Sequence, residues 1–282
     1  MTGTSSQSPW RLAALAVTVL ALLLVAAALL RHSTGDLDLL LHDRTGSDIL
    51  AGEGIPDTNT YSFTAPDHRW TNHEWLFQAL VATAGDLTGS GAIGGRATGW
   101  AVLRLVLGLG LVAVLLMDAW RHRRTTPAAL AAWVGLVSLG LLWTRLTMRP
   151  EILSAILLVV VLGRIETALR SGRDDRWPLA VVDPRRAAGQ ATWLTVLWYQ
   201  CHGFAVLAPV MWLLAAALDR GAGPARERWR WASVGALLGL LAGAATPSGP
   251  AGLLYPLQVI GQFTGDGPDL QRTISELVPL LE

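Results

Sequence analysis

The 282-residue chain is 52% hydrophobic and only 15% charged, with a mean hydropathy of +0.41, which argues against a soluble domain of ordinary composition. The formal net charge is +1 and all 22 basic residues are arginine, with no arginine stripe interleaved with aromatics, so nucleic acid is not an expected partner. The single cysteine, Cys201, cannot close an internal disulfide, and packing must hold the loops instead.

In chain order, residues 1–11 read as a short cytoplasmic N-terminus. Residues 12–30 (Leu12 to Leu30) contain no charge and are long enough to cross roughly 30 Å of hydrocarbon, so they are expected to form the first transmembrane helix. The alternative is a signal peptide cleaved near Ala26-Ala27-Ala28, but the run is long for that and only Arg11 precedes it. Residues 31–97 hold nine acids against four arginines, the pattern of a large first extracytoplasmic loop carrying interfacial helices.

Residues 98–250 are expected to form a membrane bundle of about six segments. Trp100 to Met117 leads into Arg121-His122-Arg123-Arg124, a cytoplasmic mark. Pro127 to Trp143 then crosses outward, and Thr144 to Pro150 turns with Arg145 and Arg149. Glu151 to Leu169 returns to a second arginine-rich, cytoplasmic stretch. Thr192 to Leu218 is either one long crossing or a hairpin of two short helices bent at His202-Gly203. The hairpin keeps Arg220, Arg226, Arg228 and Arg230 on the cytoplasmic side, although each arm is only roughly 20 Å long and needs other helices around it. Trp231 to Ala245 crosses outward once more, and residues 251–282 form an extracytoplasmic C-terminal segment, with Leu253 to Phe263 in the interface.

The expected fold is therefore an all-α integral membrane protein of about seven transmembrane segments, N-terminus inside and C-terminus outside. Trp10, Trp120, Trp143, Trp177, Trp229 and Trp231 lie near the expected helix ends, where indole rings favour the interface and its lipids. The chain has no internal repeat, and its amphipathic ending ISELVPLLE leaves the bundle incomplete, as a piece of a longer chain would.

This topology puts Asp36, Asp38, His42, His73, Glu74, Arg149 and His202 on one outer side. Asp38 and His42 are four apart and share one face of a helix, either as site residues or as the solvated charges of an amphipathic surface helix. Glu74 stands beside Trp75 and an apolar run, which would desolvate its carboxylate and suit it to proton transfer. The same stretch also reads as a helix start, with Asn72 as N-cap and Glu74 in the first turn.

Arg149 before Pro150 could clamp phosphate oxygens or extend to lipid headgroups. His202, at a glycine bend in an apolar segment, needs a cavity or a polar partner, unless it is a packing histidine, and mid-helix Arg104 needs a partner too. The residues specify no certain cofactor, but His42, His73, Asp38 and Glu74 could hold a divalent metal without any zincin-like spacing.

The motifs Asp36-x-Asp38-x-x-x-His42-x-Arg44-Thr45-Gly46, Ile55-Pro56, Tyr61-Ser62-Phe63-Thr64 and Trp70-x-Asn72-His73-Glu74-Trp75-Leu76 resemble those of a group of bacterial multi-pass proteins. Arg149-Pro150-Glu151, Leu197-Trp198, His202-Gly203-Phe204, Pro247-x-Gly249 and Leu254-Tyr255-Pro256 agree, so the likeness runs from about Asp36 to the end. That group is similar to GT-C-type glycosyltransferases, with Leu40-Leu41, Glu53 and Gln200 departing from its usual residues. The resemblance implies transfer of a sugar from a polyprenyl-phosphate donor to an extracytoplasmic glycan or protein acceptor in the bacterial plasma (inner) membrane. It also implies Asp38 as the first-loop acid that acts as base or metal ligand, with Glu74 assisting and His42, His73, Arg149 and His202 binding substrate.

The rival expectation is a non-catalytic membrane scaffold or binding protein of a cell-envelope glycan pathway. A transporter ranks lower, since it would show two related halves with paired broken helices, and one broken segment is visible.

Overall fold

The computed structural model describes residues 37–62, 66–89, 93–122, 148–169, 184–218 and 225–264, and every extended element of regular structure among them is helical. The expected first transmembrane helix, Asp36 and the Pro127 to Trp143 crossing lie outside the described residues. The helices are α1 (Leu37–Leu50), α2 (Trp75–Thr88), α3 (Ile93–His122), α4 (Pro150–Leu169), α5 (Pro184–Cys201), α6 (Leu207–Leu218), α7 (Ala225–Ala244) and α8 (Pro250–Thr264). A single 3-10 turn, Gly203–Val206, joins α5 to α6.

The first loop builds a compact cap. On α1 the buried positions Leu39, His42, Thr45 and Gly46 follow helical spacing, so one stripe faces α2. Small residues let the helices close. A Cβ on Gly46 would overlap the Gln78 carbonyl, and a Cβ on Gly99 would overlap the Ala84 carbonyl.

Arg96, near the start of α3, locks the cap. Its guanidinium reaches Asp43 Oδ1 at 2.6 Å and Ser47 Oγ at 3.3 Å on α1, and Asp86 and the Ala82 carbonyl (3.3 Å) on α2. Trp100 adds an indole N–H to Asp43 at 3.2 Å.

Between α1 and α2 the chain closes into a loop through Asn59 N–H to the His68 carbonyl and Trp70 N–H to the Asp57 carbonyl, each 2.8 Å. Tyr61 ties that loop to α1 by donating to Asp48 Oδ2 at 2.8 Å. The loop leaves α1 through Gly52 and Gly54, at φ 86° and 91°, which L side chains rarely adopt.

Among the described residues, two helices are long and apolar enough to cross a membrane: Gly94–Asp118, 25 residues at mean hydropathy 2.4, and Pro150–Leu169, 20 residues at 2.2. The first coincides with the expected Trp100 to Met117 segment and the second with Glu151 to Leu169. Gly203–Leu218 is a shorter apolar stretch. Exposed leucines and valines cover the outer faces of α3, α6 and α7, among them Val102, Val106, Leu213, Leu214, Leu237 and Leu241. That is far more exposed aliphatic surface than scattered surface residues explain.

The break at His202-Gly203 is real. His202 takes an extended conformation (φ −168°, ψ 146°) that ends α5 before the 3-10 turn begins. The two arms on either side both pack against α4 and α7. Gly235 and Gly239 on α7 receive Trp212 and Pro209 of α6, and Gly243 receives Tyr199 of α5. The second core forms there, around Trp198, Trp212, Val161 and Ile165. Only the second arm is short: α6 has 12 residues, whereas α5 begins at Pro184 rather than Thr192 and runs 18, and the 20-residue α4 and α7 enclose both.

Candidate functional site

The polar residues converge where the cap meets the broken segment. Glu74 sits at the N-cap position of α2 with φ −123° and ψ 10°, and its side chain does not cap the helix. Asn72, expected as the N-cap, instead accepts the Glu74 backbone N–H on Oδ1 at 3.3 Å and donates from Nδ2 to Gln78 Oε1 at 2.8 Å. This Asx-type turn frees the Glu74 carboxylate to point away from the helix end.

Three histidines surround that carboxylate. His73 Nε2 lies 3.1 Å from Oε1, His202 Nε2 lies 3.9 Å from the same oxygen, and His42 Nδ1 lies 3.8 Å from Oε2. They come from the loop before α2, from the α5–α6 break and from α1. Each ring is held by further contacts. His42 meets Phe77 edge-on at 5.3 Å, His202 meets Phe204 edge-on at 4.5 Å, and His73 stacks on Tyr255 of α8 at 4.1 Å.

Hydrogen bonds also orient the imidazoles. His73 Nδ1 lies 3.1 Å from the Thr71 carbonyl, which can only accept, so this nitrogen carries the proton and Nε2 faces Glu74. His202 Nδ1 lies 2.9 Å from Ser154 Oγ, which also accepts the Trp198 indole N–H at 2.9 Å. Trp75, next to Glu74, donates its indole N–H to Gln200 Oε1 at 2.9 Å, fastening the cap to the end of α5.

The electrostatics follow from this enclosure. Burial raises the Glu74 pKa, but hydrogen bonding and charge from His73, then charge from His42 and His202, outweigh it and leave the carboxyl below its ordinary value. His202, in the turn outside both flanking helices, is driven down to about 4 by burial, partly offset by Glu74.

Asp38 and Arg149 form a second part of the site. Arg149 Nη2 lies 2.8 Å from Asp38 Oδ2, with the Asp38 side chain 51% exposed. Asp38 is one turn from His42 on α1, and Arg149 precedes α4 about one turn before Ser154, so the pair adjoins the histidine cluster through two helices. Arg104 is buried in α3.

Of the residues singled out in the sequence, His42, His73, Glu74 and His202 come together, and Asp38 and Arg149 pair beside them. The possible metal set of His42, His73, Asp38 and Glu74 is redrawn: His73, Glu74 and His202 bring their ligand atoms within 4.8 Å of one another, and Asp38 turns to Arg149. Sequence reasoning assigns Ser154 and Trp198 no site role. The available signal is a serine within the otherwise apolar stretch 152–163 of α4, where a buried hydroxyl needs a partner. No protein family, no curated protein and no solved structure matches this chain.

Proposed function

We infer that this chain is a multi-pass protein of the bacterial plasma (inner) membrane that transfers a sugar from a polyprenyl-phosphate donor to an extracytoplasmic acceptor. The exposed aliphatic faces of α3, α6 and α7 support a lipid environment. The acidic first loop and the arginines after α3 support a cytoplasmic N-terminus and an outward-facing cap.

The observation that carries the reading is the Asp38–Arg149 pair beside the Glu74 cluster. It joins a half-exposed carboxylate to a guanidinium whose planar fork matches phosphate oxygens. In this mechanism the donor phosphate takes Arg149 from Asp38, and the released carboxylate accepts the proton of the acceptor hydroxyl. The acceptor oxygen bonds to the anomeric carbon, the bond from that carbon to the phosphate oxygen breaks, and polyprenyl phosphate leaves with the electron pair. Glu74 and the histidines form the wall that holds the acceptor.

The test is transfer of a labelled sugar from a polyprenyl-phosphate donor in proteoliposomes. Asp38→Asn should abolish transfer, and full activity in that variant would end the assignment. Equal, negligible transfer by the wild type and by every variant across a donor panel would favour a scaffold.

A further inference from the structure

We propose that His73, Glu74 and His202 form a binding site for a divalent transition-metal ion of the zinc class, with His42 and Ser154 as positioning residues. The proposal goes beyond sugar transfer and does not depend on it. It also leaves out Asp38, the acid to which the family resemblance points.

The first argument is geometric. Two imidazole nitrogens and a carboxylate oxygen lie within 4.8 Å of one another, with His73 Nε2 and His202 Nε2 at 3.1 Å and 3.9 Å from Glu74 Oε1. A tetrahedral zinc ion with bonds near 2.0–2.1 Å spaces its ligand atoms roughly 3.3 Å apart. Small side-chain rotations therefore bring the set to bonding geometry. Two histidines and one carboxylate, leaving a position open, is the ligand count of a catalytic rather than a structural zinc site.

The second argument concerns lone pairs. The Thr71 carbonyl requires the His73 proton on Nδ1. Charged, the ring donates Nε2–H to the Glu74 oxygen 3.1 Å away; neutral, it turns a lone pair there instead, and in that form two acceptors face each other. A cation between them removes the conflict. Imidazole bound through Nε2, with Nδ1–H given to a backbone carbonyl, is also the outer-shell arrangement that fixes ligand histidines.

The surroundings are equally built. Ser154 holds His202 Nδ1 at 2.9 Å and is itself fixed by Trp198, which sets the ring's angle with Nε2 toward Glu74. His42 faces the other carboxylate oxygen, Oε2, at 3.8 Å, where a donated hydrogen bond would orient Glu74. The side chains are 16% (His73), 19% (Glu74) and 10% (His202) exposed, leaving a route for an oxygen ligand, a hydroxyl or a phosphate oxygen, to the open position.

The bland alternative is a His73 imidazolium paired with Glu74, and metal uptake separates the two. The full chain, purified in detergent and stripped with chelator, would be titrated with Co2+ while its visible absorption is followed, and its zinc content measured by mass spectrometry after dialysis. The expected result is one ion per chain, with His73→Gln, His202→Gln and Glu74→Gln each lowering affinity more than about 100-fold. Ser154→Ala, which removes outer-shell support, should lower it about 10–100-fold. Asp38→Asn and His68→Ala, an exposed loop histidine, should leave it unchanged.

Should the buried His202→Gln variant fail to fold, His73→Gln carries the same readout, with helicity by circular dichroism as its control. A stripped wild type that takes up no Co2+ or zinc, or a folded His73→Gln chain that binds as tightly as wild type, overturns the proposal. Neither readout uses sugar transfer, so loss of transfer in Asp38→Asn with metal binding intact keeps the two assignments apart.

Discussion

Trp75 and Gln200 are joined by a 2.9 Å hydrogen bond from the indole N–H to the amide oxygen, across 125 residues of sequence. This bond sits immediately beside Glu74 on one side and two residues before His202 on the other, so it sets the register between the cap and the broken segment. Trp75→Phe keeps an aromatic ring, smaller than the indole, and removes the donor. The expected cost is about 1–2 kcal/mol of stability, read as a lower thermal midpoint in detergent, together with weaker Co2+ binding. A variant with wild-type midpoint and wild-type affinity would show that packing alone holds the register.

Arg96 meets two carboxylates, a hydroxyl and a carbonyl on α1 and α2, with its own side chain 12% exposed. Arg96→Met should destabilise the cap by about 3 kcal/mol, because it strands the Asp43 carboxylate in a largely enclosed position. Limited proteolysis should then cut within residues 51–72, where the cap's loop lies. Arg96→Lys should recover only part of the loss, since an ammonium cannot reproduce the planar fork.

The glycines of the cap offer a paired comparison. Gly99→Ala drives a methyl group into the Ala84 carbonyl and should cost about 1–3 kcal/mol through separation of α2 from α3. Gly94→Ala, on the same helix with nothing within 4 Å of the new methyl, should be neutral or slightly stabilising. Equal midpoints for the two variants would contradict the close approach of α2 and α3.

Ser154 is the hydroxyl between Trp198 and His202, and Ser154→Ala leaves the Trp198 indole N–H without its acceptor. The expected cost is about 1–3 kcal/mol, the price of an unmade buried hydrogen bond. A tryptophan fluorescence shift should accompany it, and its absence would place the indole outside this network.

The Asp38–Arg149 pair should matter little for stability and much for transfer. With Asp38 half exposed, a double-mutant cycle with Asp38→Asn and Arg149→Gln should give a coupling of roughly 0.2–1 kcal/mol. Sugar transfer should fall in both single variants. A coupling several times larger, with transfer intact, would make the pair a structural clamp.

Much of the architecture was legible along the chain because its signals are local. Apolar length marked the helices now seen as α3 and α4, and the histidine-glycine pair in an apolar run marked the break after α5. Charge counted loop by loop groups Asp36, Asp38, His42, His73, Glu74, Arg149 and His202, and of these His42, His73, Glu74 and His202 meet in the structure with Asp38 and Arg149 paired beside them. Only the tertiary structure decided which of them is central. Asp38 and Glu74 are both acids beside apolar residues, and nothing in periodicity distinguishes a carboxylate claimed by an arginine from one enclosed by three histidines. That choice depends on the angles at which α1, α4 and the α5–α6 break meet. Gly46 closes α1 onto α2, and Asn72 turns Glu74 outward instead of capping the helix. Composition and spacing therefore singled out the polar groups, while the packing of distant helices brought them together and made Glu74 their centre.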